Sequence, residues 1–254
     1  MSPSQPAQFD VIEASKANVP SLSTIVARAF HPSNAYIKKV LPDTPALAGW
    51  WSKIFADEIK DASTHLLIAV DPDNDTAVGL LSLRRMEAAE KGAGTWGLYE
   101  LTPDHDREGY KAMIDSMGEH RERLMLGRPH YLIQLFGVDA AYAGRRIGQK
   151  LLARACDIAD AAGLDTFVQA NGNARAFYEK QKFVVQGKET MPGDEYVDPG
   201  FRNRLVFVRP TFAVVKLSGL PGVKVELASH VDLRIPFDGS VYVCAFHADV
   251  RACF

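Results

Sequence analysis

The 254-residue chain is 47% hydrophobic and 24% charged, with a formal net charge of −2 at pH 7, a composition that buries the core of one large domain, or of one domain plus an appendage. A balance so near neutral offers no general attraction to nucleic acid or to an acidic membrane. Cys156, Cys244 and Cys253 lack CxxC spacing, which argues against a zinc site or a disulfide framework.

The opening MSPSQPAQFD has no basic-then-apolar signal pattern, and no apolar run reaches membrane-spanning length. A cytoplasmic location, with nuclear entry left open, is the expectation. Residues 1–8 are expected to be disordered. FDVIEAS then reads as a strand, VPSLSTIVARAF as a helix, and DTPALAGWWSKIFADEIKDAS as a longer amphipathic helix capped by Asp43 or Thr44, with Pro45 in its first turn. HLLIAVDP and TAVGLLSLRRME read as a hairpin around DPDND. Residues 91–129 interrupt this rhythm with a glycine-rich opening and a charged helix, either a cover over a site or a solvated bridge between strands.

HYLIQLFGV is almost continuously apolar, as a central strand should be. From Ile147 the positions Leu151, Leu152, Ala155, Ile158, Ala159 and Ala162 fall on one helical face, and Gly163 marks the stop. DTFVQA, NARAFYEKQ, KFVVQGKET and RNRLVFVRP read as strand, short helix, strand and strand, so the central strand and DTFVQA require a parallel crossover. Residues 211–254 hold β-like runs without a partner helix: extra strands, a partner-binding arm or a poorly ordered extension.

Arg145 and Arg146 sit where the Ile147 helix begins, an end that carries partial positive charge and unpaired N–H groups. Unless both are simply solvated, an anion is expected there, and Gly144 and Gly148 let a backbone approach it closely. A P-loop is excluded because Gly148 is followed by Gln149, Lys150 and Leu151 rather than GK[ST]. The spacing of Gly137, Gly144 and Gly148 does not fit the dinucleotide fingerprint G-x-G-x-x-G either.

NGNARAFYEKQKF resembles the N-x-x-A-x-x-[LF]-Y-E-K-x-G-F stretch of the GNAT N-acetyltransferases, with Asn171, Ala174, Phe177, Tyr178, Glu179, Lys180 and Phe183 on the pattern. LFGVDAAYAGRRIGQKLL is similar to that family's L-x-V-x-P-x-x-Q-G-x-G-I-G-x-x-L-L. The likeness is specific from about His130 to Phe183 and extends in topology over residues 9–210, with a helical insert most like that of fungal-type small-molecule acetyltransferases. It implies an α/β (α+β) fold with a mixed, V-shaped central β-sheet flanked by helices. Departures stand at Ala141 for proline, Ala143 for Gln or Arg, Arg146 for the first glycine, and Lys182 for the glycine before Phe183.

The resemblance implies acetyl-CoA (coenzyme A) as co-substrate, held by Gly137, Val138, Ala143, Gly144, Arg145, Arg146, Ile147, Gly148, Gln149, Asn171 and Phe177. It gives the N–H near Val138 to the thioester carbonyl and makes Tyr178 the acid that protonates the leaving thiolate, a fitting donor with an ordinary pKa near 10. Asn171 also suits a helix cap, and Phe177 suits packing. The expected acceptor is a small-molecule amine beside the insert. A non-catalytic acyl-CoA-binding module, and transfer to a hydroxyl or of a longer acyl group, stay open. Glu87, Glu100 and Asp139 are weak candidates for a base, no histidine pair has metal-site spacing, and Cys156 reads as buried and inert.

Overall fold

The computed structural model describes residues 9–171, 174–190, 203–209, 213–217, 231–234 and 241–245. Strands β1 (Asp10–Glu13), β2 (Thr64–Asp71), β3 (Thr76–Met86), β4 (His130–Val138), β5 (Asp165–Asn171), β6 (Val184–Thr190) and β7 (Asn203–Arg209) form one sheet in the order β1-β2-β3-β4-β5-β7-β6. Every neighbouring pair is antiparallel except β4 and β5. In the β2–β3 turn, Asp71 accepts the Asp73 N–H at 3.0 Å, the local turn chemistry that DPDND encodes.

Between β1 and β2 the chain forms α1 (Val19–Leu22), α2 (Ile25–Phe30), α3 (Ala35–Val40) and α4 (Pro45–Glu58). The single helix expected over 19–30 is therefore two. At the break, the Ser23 hydroxyl donates to the Pro20 carbonyl at 2.8 Å and that of Thr24 to Ser21 at 3.4 Å, local bonds that compete with a continuous helix. Asn34 caps α3 through the Ile37 N–H at 2.9 Å, and Thr44 rather than Asp43 caps α4 through the Leu47 N–H at 3.3 Å.

The insert carries α5 (Arg107–Met125), capped by Asp106 on the Gly109 N–H at 3.0 Å. Helix α6 (Ile147–Ala161) makes the crossover from β4 to β5, and Gly163, at φ +66°, lets the chain turn back to the sheet. The short α7 (Arg175–Glu179) precedes β6. One face of the sheet packs on α4 through Trp50, Trp51, Ile54 and Phe55. The other packs on α6 through Leu151, Leu152, Ala155 and Ala159, all fully buried, and each buried leucine contributes about 1.5–3 kcal/mol.

Three strands of the 211–254 tail, β8 (Ala213–Leu217), β9 (Val231–Arg234) and β10 (Val241–Ala245), form an antiparallel sheet of order β8-β10-β9. The expectation for residues 1–8 lies outside the described residues.

Candidate active site

Strands β4 and β5 share only three pairs, from His130↔Asp165 to Leu132↔Phe167. Beyond Leu132 they part, β4 staying with β3 and β5 with β7, which makes the V in the sheet. A cavity of about 390 Å³ fills the split, reaching from Gly148 and Phe177 at the start of α6 and on α7 to Trp51 and Met113 on α4 and α5. The Asp139 N–H donates to Val78 on β3 at 2.8 Å. Strand alternation therefore turns the preceding Val138 N–H to the opposite edge, into the split.

The loop after β4 is anchored twice. Asp139 pairs with Arg28 and accepts the Ala141 N–H at 2.9 Å, while the Tyr142 hydroxyl donates to Asp71 at 2.5 Å. That bond, with the Asp73 N–H and the nearby Arg145 charge, holds the Asp71 carboxyl below its usual range. The two arginines diverge from there. The Arg145 guanidinium lies 4.8 Å from the Tyr142 ring centre and 5.9 Å from that of Phe9, whereas Arg146, at φ +60° and ψ 14°, is exposed and has no ion-pair partner among the described residues.

No side chain caps α6. The first N–H with a helical acceptor is that of Lys150, which donates to Arg146 at 3.2 Å, so the N–H groups of Ile147, Gly148 and Gln149 have no acceptor within the helix. With Gly144 at φ +78° and the free Arg146 charge beside them, these donors form a cradle for an anion. Ala143 and Gln149 are exposed around it, and the Ile147 side chain is buried, leaving only its backbone to a ligand. A Cβ on Gly148 would point among Phe136, Val138 and Phe177 at 3.4–3.7 Å, filling the cavity mouth without a clash. Gly137 answers to packing as well, because a Cβ there would come within 2.9 Å of Ala29 and 3.0 Å of the Phe30 ring.

Across the split, Tyr178 is 4% exposed and lines the cavity. Phe177 and Phe183 meet its ring edge-on at 5.4 and 5.3 Å, and burial pushes its phenol well above 10. Phe177 also borders the cavity, tilted against Phe136 at 5.8 Å. Asn171 accepts the Ala174 N–H at 3.1 Å, just before α7, whose own start has no side-chain cap.

At the far end, Tyr36, Trp51, Trp96, Met113 and Met117 enclose the cavity, and among the described residues no charged side chain lines it. Several of its polar lining groups are already occupied. The Tyr36 hydroxyl donates to Gly109, the Gln169 amide to Met117, the Asn34 oxygen caps α3, and the Asn171 oxygen accepts from Ala174. Gln134 accepts from the Thr95 N–H at 2.8 Å and hydroxyl at 3.2 Å, and donates to Ser82 at 3.2 Å and Glu58 at 3.3 Å. Those four bonds use its full capacity.

Glu58 and α3 were not anticipated from sequence. The signal for Glu58 was present: it continues the stripe Trp51, Ile54, Phe55 at helical spacing on α4. It is 2% exposed, and burial raises its carboxyl to about 7 against the lowering pull of the Ser82 and Thr95 hydroxyls and of Arg84. Of the base candidates, Asp139 is paired with Arg28 and Glu87 lies out on the surface beside Arg85. Glu100 is exposed. No group of three His, Cys, Asp or Glu able to hold a metal occurs among the described residues. Cys156 is buried, its thiol pushed up to about 11 by burial.

A sequence model of the acetyltransferase (GNAT) family matches residues 37–183. No curated protein sequence matches the chain. Solved structures of similar fold include arylalkylamine N-acetyltransferase 2 from Aedes aegypti, at 14% identity and TM-score 0.58 over 80% of this chain and 98% of that one. A mosquito arylalkylamine N-acetyltransferase-like 5b is 14% identical, at TM-score 0.55 over 79% and 99%. The histone acetyltransferase HPA2 and related acetyltransferase from Corynebacterium glutamicum is 18% identical, at TM-score 0.51 over 85% and 99%.

Proposed function

The chain belongs to the acetyltransferase (GNAT) family, whose co-substrate is acetyl-CoA, and from that premise we propose that it acetylates the nitrogen of a small amine carried on an apolar, aromatic-sized body. The observation that carries this reading is the cavity itself. It joins an anion cradle to a chamber of aromatic and methionine side chains where Tyr36 and Gln169 already bond within the protein.

Bound acetyl-CoA would supply an activated acyl group and a thiolate leaving group. In this reading the Ile147, Gly148 and Gln149 N–H groups and Arg146 hold its pyrophosphate. The Val138 N–H, facing the split, stabilises the charge that develops on the carbonyl oxygen. Tyr178, kept protonated by burial, hands its proton to the departing sulfur and is restored by the proton that the attacking nitrogen sheds, carried through water. The apolar chamber disfavours an ammonium and so favours the free amine that attacks. A carboxylate substrate finds no described cation at the far end, and a polyamine no described anion. The arylalkylamine names of two structural neighbours are in keeping with this choice.

Calorimetric titration with acetyl-CoA, followed by thiol release over a panel of arylalkylamines, polyamines, amino acids and N-terminal peptides, tests the proposal. Release with arylalkylamines alone is the expected result. Binding without release on any amine would instead favour a non-catalytic acyl-CoA-binding module, and no binding would end both readings.

A further inference from the structure

The polar network under the far end of the cavity joins four elements that are distant in sequence. Glu58 closes α4, Ser82 lies in β3, Gln134 in β4, and Thr95 opens the insert one residue before the wall residue Trp96. The Glu58 carboxyl accepts from Ser82 at 2.9 Å and Gln134 at 3.3 Å, and lies 3.4 Å from the Thr95 hydroxyl, whose one proton is also within reach of the Gln134 oxygen at 3.2 Å. Gly94 brings the insert down onto this network: at φ +100°, a Cβ there would stand 2.2 Å from the Gln134 oxygen, which its two bonds from Thr95 hold in place. The Trp96 carbonyl is then fixed by the Tyr110 hydroxyl at 3.0 Å.

We propose that Glu58 is a positioning residue for the acceptor: its carboxyl, through Gln134 and Thr95, latches the start of the insert onto β4 and so sets where the Trp96 wall stands. The inference rests on the acetyl-transfer reading for its kinetic consequence and on the geometry alone for its structural one. The Thr95 hydroxyl has one proton for two acceptors, the Glu58 carboxyl and the Gln134 oxygen, so an ionised Glu58 leaves that proton contested. A protonated Glu58 donates to the Thr95 oxygen instead, and Thr95 passes its own proton to Gln134, which completes the chain. Arg84 on β3, Asp57 on α4, Asp61 just after it and Tyr99 on the insert are the other charged or titratable groups around this carboxyl. Arg84 is held by Asp61 and Glu90, and burial with the neighbouring Asp57 pushes the Tyr99 phenol up to about 12. With the Glu58 carboxyl raised to about 7, the latch loosens as the pH rises through neutrality.

The test is steady-state kinetics of the full chain with acetyl-CoA and 2-phenylethylamine, the amine counted as free base, from about pH 6 to about pH 9. In the wild type the amine KM is expected to rise about tenfold as the pH increases through neutrality, the size of one lost hydrogen bond to a charged group, while the acetyl-CoA KM stays flat. Glu58→Gln, which cannot ionise and can donate to Thr95, should show no pH step in the amine KM, and Glu58→Asp should restore it. Thr95→Val, a milder change at the same latch, should raise the amine KM alone. An unchanged profile in Glu58→Gln, or KM values for both substrates rising together, overturns the proposal. Trp96 fluorescence gives a readout free of activity: a transition near neutral pH, lost in Glu58→Gln and assigned by its loss in Trp96→Phe. If 2-phenylethylamine is not acetylated but that transition is present, the latch stands and the acceptor reading falls. If it is missing, the latch falls whatever the activity.

Discussion

Arg146 and Lys182 share a backbone conformation that neither side chain favours, with φ of +60° and +64°. These are two positions where the GNAT pattern carries glycine and this chain does not. A left-handed non-glycine residue costs roughly 1–2 kcal/mol, partly offset by the extra freedom a glycine has when unfolded. Lys182→Gly is therefore expected to stabilise the protein by up to about 1 kcal/mol, read as a rise in Tm of about 2–4 °C. A fall in Tm would mean that the Lys182 side chain contributes more than its backbone costs.

The two adjacent arginines should respond differently to charge reversal. Arg146→Glu places an anion at the uncapped start of α6 and is expected to weaken acetyl-CoA binding by about tenfold or more, with little change in Tm. Arg145→Glu sets a carboxylate near Asp71 and removes the cation from the Tyr142 and Phe9 rings. It should lower Tm first and affinity only through the loosened loop. Calorimetry and thermal melts on both variants separate the two roles, and equal losses of affinity with equal Tm would contradict them.

The half of the site from β4 to α7 was legible because its signals are local: a continuous apolar strand, a 3.6-residue stripe from Ile147 and a glycine stop at 163. The separate duties of Arg145 and Arg146 were not, since Phe9 lies 136 positions from Arg145 in the chain and only the fold joins them. Helix α3 escaped because six residues hold fewer than two turns of periodicity. The insert was expected beside the acceptor from its place between β3 and β4. Its attachment through Gly94, Thr95 and Gln134 depends on contacts with β4, about forty residues on.

Tyr178→Phe keeps the ring in its aromatic cluster and removes only the hydroxyl. Under the proposal that Tyr178 protonates the sulfur, the substitution should cost kcat about a hundredfold, within the usual range for general acid catalysis, and leave the acetyl-CoA KM nearly unchanged. Because burial keeps its phenol protonated well above 10, the wild-type rate should show no alkaline fall from this group across an ordinary assay range. A Phe variant with full kcat would reduce Tyr178 to a packing residue.

Glu58 should also leave a mark on stability. Its folded-state carboxyl, raised by burial to about 7 from 4.5, holds a proton that the unfolded chain has already released between those values. The folded state thus binds more protons there, and stability falls as pH rises from about 4.5 to about 7, by about 3 kcal/mol in total. Glu58→Gln loses acceptor bonds at every pH but cannot titrate. Its Tm relative to the wild type should therefore climb steadily on going from about pH 5 to about pH 8 and then level off. A difference that is flat over this window would show that Glu58 ionises in the folded protein as it does in water, and that the network tolerates its charge without cost.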